Sequence, residues 1–178
     1  MPNPEVAHLK NLFLLRHGKS LWNNTGVPDF ERTLNHRGIK DADHLGKYLA
    51  RTNTVIDLIL CSPSTRTRQT LEEVRPYLEP QPQTRFEDSL YGADPESVLS
   101  LIAKVPKEIP SLLVIGHNPW IAQLSYSLSP DGEVRDHIQL GFPTCSLFKA
   151  ELESTDWNLE QAVVVNASFI TPKELKSH

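Results

Sequence analysis

Cysteine is scarce in this chain: two in 178 residues, Cys61 and Cys145, each inside an apolar segment. Two such residues do not make a disulfide framework and fit buried free thiols in a reducing compartment. Long apolar runs are missing as well. None approaches the roughly 20 residues of a membrane span, and Met1 to Asn11 has no apolar core of secretory length. The expected location is the cytoplasm. Nor is there an excess of positive charge, since Lys plus Arg is 18 against 22 for Asp plus Glu, a net charge of −4. That balance argues against a general nucleic-acid binder and requires any cationic site to be a local cluster. The seven histidines include no helical i, i+4 pair and no His-x-His, and no cysteine pair supports zinc. No metal and no cofactor are expected, and His8, His36, His44, His137 and His178 read as surface residues. No repeat, low-complexity segment or domain boundary interrupts the chain. Residues 1–178 are therefore expected to form one domain, with a core of about 10–166 and flexible termini.

What is present is one design used three times. Leu12-Phe13-Leu14-Leu15 is followed by Arg16-His17-Gly18, Asp57-Leu58-Ile59-Leu60-Cys61 by Ser62-Pro63-Ser64-Thr65-Arg66, and Leu112-Leu113-Val114-Ile115 by Gly116-His117-Asn118-Pro119. Short continuous apolar runs fit strands buried on both faces of a parallel sheet. Ligands in such sheets bind beyond the carboxyl ends of the strands, where all three runs deliver a cation or an imidazole. Ser62-Pro63 and Asn118-Pro119 have the form of an N-cap followed by proline at the first helical position. Helix N-termini and arginines at one crevice suit a multiply charged anion such as phosphate.

The remaining segments predict an α/β fold with three layers, α/β/α, and a mostly parallel central sheet. Lys19 to Leu34 has no clean period and is expected to form a loop over the site. Ile39, Ala42, Leu45 and Leu49 give a helix from Gly38 to about Ala50. A helix from Pro63 to about Val74 ends before Pro76, and Thr84 to Phe86 fits a short strand. Asp94-Pro95-Glu96 opens a helix through Ala103, and Pro119 to Leu128 gives another. Pro130-Asp131-Gly132 is a turn. Cys145 to Ala150 and Leu159 to Val165 are expected as late strands, antiparallel at an edge. Ser168 to His178 is polar and expected to be disordered.

The order and spacing of Arg16-His17-Gly18, Ser62-Pro63 with Arg66, and Gly116-His117 resemble the histidine phosphatase superfamily, which includes the phosphoglycerate mutases. Arg32-Thr33-Leu34-Asn35-His36-Arg37-Gly38, Arg66-Thr67-Arg68-Gln69-Thr70, Leu90-Tyr91-Gly92-Ala93 and Gly116-His117-Asn118-Pro119 look most like the small SixA-type phosphohistidine phosphatases. The resemblance runs from about Leu12 to about Leu147 and implies a phosphoglycerate mutase-like fold. It also implies that His17 is phosphorylated and then released by water, that Arg16 and Arg66 bind phosphate, and that His117 contacts the transferring group. Asn23, in Trp22-Asn23, matches a phosphate-contacting asparagine of the mutases. Asn118 is a further candidate for substrate binding, and Arg32 reads equally as a substrate contact or an exposed arginine.

The chemistry agrees with these assignments. A histidine nucleophile needs one ring nitrogen free and the other donating to an acceptor, often a backbone carbonyl. Neighbouring arginines disfavour the imidazolium and keep the ring neutral. A general acid is harder to find. The stretch Phe86 to Asp94 lacks the clear glutamate context of the mutases, and Glu87 and Asp88 are the candidates, while Asp94 is explained as a helix cap. Three functions compete: a SixA-like phosphatase acting on phosphohistidine in a protein partner, a phosphatase or mutase for small phosphate esters, and a module that binds phosphorylated partners without catalysis. The partners expected are therefore a phosphorylated protein or a small phosphorylated metabolite, and neither nucleic acid nor a membrane.

Overall fold

The structure, a computed structural model, describes residues 7–22 and 26–176. Its centre is a six-stranded sheet in the order β3-β2-β4-β1-β5-β6. The strands are β1 (His8–Arg16), β2 (Leu58–Cys61), β3 (Gln83–Phe86), β4 (Ser111–Gly116), β5 (Leu147–Ser154) and β6 (Val163–Ile170). The first four lie parallel to one another, whereas β5 runs antiparallel to both β1 and β6. The helices are α1 (His36–Arg51), α2 (Thr65–Val74), α3 (Pro95–Ile102), α4 (Trp120–Leu128), α5 (Glu133–Leu140) and a single closing turn, α6 (Pro172–Leu175).

Side-chain alternation along each central strand explains why these strands are apolar without interruption. Leu12, Leu14, Leu58, Leu60, Leu112 and Val114 point to one face, where Val98 and Ile102 of α3, Trp120 and Leu124 of α4, Ile138 of α5 and the ring of Trp157 cover them. Phe13, Leu15, Ile59, Cys61, Leu113 and Ile115 point to the other, under Leu45 and Leu49 of α1, Leu71 and Val74 of α2 and Leu175 of α6. The expected three layers result, and both cysteines are free and buried. Pairing of Arg16 with Gly116 and of Cys61 with Ile115 aligns the strand ends. His17, Ser62 and His117 therefore leave the sheet side by side.

Several elements differ from their sequence-based expectation. The Ser62-Pro63 and Asn118-Pro119 pairs do not cap helices: α2 starts at Thr65 after Ser64, and α4 at Trp120 after Pro119. The side chains of Ser62 and Asn118 are used instead by His117 and by the carbonyl of Phe142. The tail is not disordered through its described part. β6 extends to Ile170, Thr171 and Glu174 form a capping box around Pro172, and Leu175 is buried. Helix α5 follows the Pro130 turn without a matching prediction, because Ile138 is its one buried residue. The lead-in is structured from His8, and Lys10 is buried with its ammonium donating to the Lys107 carbonyl at 2.6 Å. Asp94, by contrast, caps α3 as expected, accepting from the Ser97 amide at 2.8 Å.

One close approach fixes the site to the helical layer. A Cβ on Gly18 would lie 2.9 Å from the Gly38 carbonyl oxygen, and one on Gly38 only 2.3 Å from the Lys19 carbonyl oxygen. The first turn of α1 thus packs backbone to backbone on the loop leaving β1. Gly38→Ala would have to displace that backbone, an overpacking cost of about 1–3 kcal/mol. The expected outcome is a Tm lower by about 2–10 °C in a thermal melt; an unchanged Tm would mean that the contact is slack.

Candidate active site

His17 leaves the end of β1 with its ring buried, 8% exposed. Its Nδ1 lies 2.7 Å from the carbonyl oxygen of Gly18. A carbonyl only accepts, so Nδ1 carries the proton and Nε2 holds the lone pair. Gly18 is itself pinned, its amide donating to Thr70 Oγ1 at 2.9 Å, while that hydroxyl donates to the Arg66 carbonyl at 2.6 Å. The imidazole therefore inherits its orientation from α2. Burial pushes its pKa down to about 4; the Gly18 hydrogen bond opposes this, while the charges of Arg66, Arg16 and Arg32 add to it. At neutral pH the ring is an uncharged base with Nε2 available.

Arg66, on the first turn of α2, donates from Nε to His17 Nε2 at 3.3 Å. Its Nη1 donates to the Asp29 carbonyl at 2.5 Å and its Nη2 to Asp29 Oδ2 at 3.0 Å. Arg16 donates from Nη1 to the Phe142 carbonyl at 2.6 Å, leaving its buried Nε without a partner among the described residues. His117, at the end of β4, stands with its ring centroid 5.1 Å from that of His17. Its Nε2 is 2.8 Å from Ser62 Oγ, and Ser62 is fully buried. Burial lowers the His117 pKa to about 3, helped by His17 and by Arg66, against the opposing charge of Asp29.

These side chains line a pocket of about 450 Å³ together with Lys19, Ser20, Trp22, Arg32, Arg37, Asn118, Pro143 and Thr144. Among the described residues the lining holds five cations, Arg16, Lys19, Arg32, Arg37 and Arg66, and no carboxylate. Cations thus gather at the strand ends, an arrangement chemically suited to a phosphate-like anion. Arg32 proves to be a lining residue rather than a free surface arginine: its guanidinium lies 4.1 Å from the Trp22 ring and its Nη2 2.7 Å from Asp29 Oδ1. Its Nε and Nη1 are buried and unpartnered among the described residues. Asn118 also lines the pocket. Asn23 lies outside the described residues.

Glu87 and Asp88 are not brought into the pocket. Glu87 follows β3 and precedes a 3-10 turn at Asp88–Leu90, and the Asp88 carboxyl is exposed in the first position of that turn. The carboxylate bound to the site arginines is Asp29, which the sequence reading passed over. Slight burial raises its pKa, but hydrogen bonds from Tyr91 and Arg66 and the charges of Arg66 and Arg32 outweigh this and bring it to about 2. Asp29 is thus ionised at any physiological pH and cannot lend a proton. Its signal was weak because Asp29 sits in the aperiodic Lys19 to Leu34 stretch. Ser62 was legible as part of Ser62-Pro63, but as a cap rather than as a partner of His117.

An α/β sheet whose strand ends gather two neutral imidazoles among buried guanidiniums defines a phosphate-handling enzyme class. The family comparison makes the class specific. Residues 12–94 match the histidine phosphatase superfamily (branch 1). An uncharacterized protein of Mycobacterium tuberculosis is 34% identical over 163 residues, spanning 89% of this chain and all of its own length. The solved structure of SixA from Agrobacterium tumefaciens superposes with a TM-score of 0.76 at 29% identity, covering 92% of this chain and 98% of that one. A SixA structure complexed with tungstate gives 0.75 at 24% identity, over 93% and 99% of the two chains. The chain belongs to the histidine phosphatase superfamily and has the SixA-type fold; it is a phosphatase.

Loss of the Ser62 hydroxyl would leave His117 Nε2 buried with no partner, at a cost of about 1–2 kcal/mol. Ser62→Ala is expected to lower Tm by about 2–8 °C and kcat on an aryl phosphate about tenfold, and Ser62→Thr to restore part of both. An unchanged kcat in Ser62→Ala would remove Ser62 as the residue that orients His117.

Proposed function

We propose that this protein hydrolyses phosphohistidine in a protein partner, without a metal, through phosphorylation of His17. The observation that carries the proposal is the polarity of the His17 ring: Nδ1 donates to the Gly18 carbonyl, so Nε2 is the unprotonated nitrogen, and it faces the Arg66 guanidinium. Nε2 attacks phosphorus while the bond from phosphorus to the substrate's imidazole nitrogen breaks. The departing electron pair stays on that nitrogen, which takes a proton from solvent. Arg16, Arg66, Arg32 and His117 hold the phosphoryl oxygens, with Asn118 contributing from the same lining. Fixed donors aimed at developing charge are worth the most where water is excluded. Water then attacks phospho-His17 and inorganic phosphate leaves.

Two features favour phosphohistidine over a phosphate ester. The pocket lining contains no carboxylic acid, and the nearest carboxylate, Asp29, has a pKa of about 2. An alkoxide leaving group depends on a positioned acid, whereas an imidazole, with a conjugate-acid pKa of about 6.5, needs far less help. The second feature is the short cover. Between Asp88 and Leu112 the chain forms a 3-10 turn and the eight-residue helix α3, with nothing long enough to enclose a small substrate. The related Agrobacterium protein carries the name putative phosphohistidine phosphatase SixA. A phosphorylated small metabolite is the competing substrate, and a binding module without catalysis is disfavoured because Arg16, His17, Arg66 and His117 are all present and converge.

Direct comparison decides between substrates: kcat/KM should be higher for a phosphohistidine-bearing protein than for any sugar phosphate or phosphoglycerate, and should survive EDTA. A small phosphate ester that wins by this measure would transfer the assignment to small-molecule phosphatase.

His17→Ala should abolish turnover, and Arg16→Ala or Arg66→Ala should cost on the order of a hundredfold. The depressed pKa of His17 sets the acid limb. Its neutral form persists until the pH falls to about 4, so kcat/KM should hold through pH 6.5 and decline only near 4. A limb at the ordinary histidine value would show that His17 is not held neutral by its site.

A further inference from the structure

The outer face of α1 carries a row of cations that starts at the pocket and continues beyond it. Arg37, Lys40, Lys47 and Arg51 recur at steps of three, seven and four residues, which places them along one side of the helix. Arg37 lines the active-site pocket, and Arg51 ends the helix. At 1.5 Å per residue the row runs roughly 20 Å away from the pocket mouth. A shallow groove of about 370 Å³ accompanies it, lined by Lys40, His44, Lys47, Arg51 and, from α6, Leu175 and Lys176.

The local charge opposes that of the whole chain, which is −4. Among the described residues, Arg37, Lys40, Lys47 and Lys176 share this face with Asp41 and Asp43, and both carboxylates are committed. Asp41 is 1% exposed and bridges Arg37 Nε at 3.4 Å and Lys176 Nζ at 2.9 Å. Asp43 holds Lys47 at 2.8 Å and accepts from the Tyr77 hydroxyl. Glu174 is turned back to the Thr171 amide at 2.6 Å. A solvated helix face in an acidic protein would be expected to mix both signs; here the surplus is positive and continuous with the catalytic pocket.

We propose that this stripe is a docking surface for an acidic segment of the phosphorylated protein partner. The inference rests on the phosphohistidine reading above and adds a recognition element to it. A phosphoryl group seated among Arg16, Arg66 and Arg32 leaves the rest of its protein outside the mouth, where Arg37 begins the row. Carboxylates following the modified histidine would lie along Lys40, Lys47 and Arg51. Complementary charge of this kind acts mainly on encounter and orientation, and it weakens with salt. The pocket then selects the phosphoryl group and the stripe selects the protein that carries it.

The test uses two synthetic peptides, each with one phosphohistidine followed by a run of glutamates or a run of lysines, and p-nitrophenyl phosphate as a substrate too small to extend from the pocket along Lys40, Lys47 and Arg51. The wild-type protein should prefer the glutamate peptide about tenfold in kcat/KM at low ionic strength, with the preference shrinking as salt is added. Lys40→Gln, Lys47→Gln and Arg51→Gln combined should erase the preference and leave turnover of p-nitrophenyl phosphate unchanged, which also reports that the variant is folded. If that variant has lost activity on p-nitrophenyl phosphate, Lys40→Gln alone is read in the same way, with a severalfold loss of preference expected. A wild-type protein that cleaves both peptides equally overturns the stripe but not the phosphohistidine reading. One that cleaves neither overturns both. Binding to phosphatidylglycerol vesicles, lost in the variant while the peptides are cleaved equally, would reassign the face to a membrane.

Discussion

The hydrogen bond from His17 Nδ1 to the Gly18 carbonyl, 2.7 Å long, is the constraint on which the rest of the site depends. It decides which nitrogen is nucleophilic, and it can do so only if the Gly18 peptide is immobile. That peptide is held on one side by the Thr70 hydroxyl and on the other by contact with Gly38 at the start of α1. The two helices over one face of the sheet, α1 and α2, are thus both needed to orient one imidazole. Replacing either glycine would disturb the nucleophile through the backbone without touching the pocket.

Electrostatics then completes what geometry begins. Five cations around a pocket with no carboxylate would repel one another in the absence of an anion. Part of that strain is relieved by Asp29, which joins Arg66 and Arg32 from a 3-10 turn in the loop over the site. The same positive field, with burial, keeps His17 and His117 neutral. A single arrangement therefore supplies an uncharged imidazole and a charged cradle, two features that a solvated cluster of the same residues could not combine.

The absence of a protonated carboxyl fits the same arrangement. A neutral acid placed among these guanidiniums would ionise, as Asp29 does, and would bind the arginines in competition with phosphate. An enzyme of this fold that keeps its pocket free of carboxylates gives up help to the leaving group, which a leaving imidazole tolerates. The charge design thus agrees with the substrate proposed above.

The sequence by itself determined the central strands, the chemistry at their ends and the layer order. Continuous apolar runs such as Leu112 to Ile115 have one stable home, a sheet covered on both faces, and that home puts His17 and His117 at a common edge. It also determined helices with strong local signals, such as α3 with its Asp94 cap. What only the tertiary structure decided were interactions between residues far apart in the chain. Ser62 and His117 meet across 55 positions, and Asp29 and Arg66 across 37. Local pattern assigned Ser62 to a helix cap because a serine before proline has that propensity, but a buried imidazole competes for the same hydroxyl and wins. The tail was misjudged for a related reason. After Ile170, Leu175 is the one large apolar residue, too weak a local signal, yet burial against α1 together with a capping box is enough to order it. Periodicity reports what a segment prefers alone; partners chosen by the fold decide the rest.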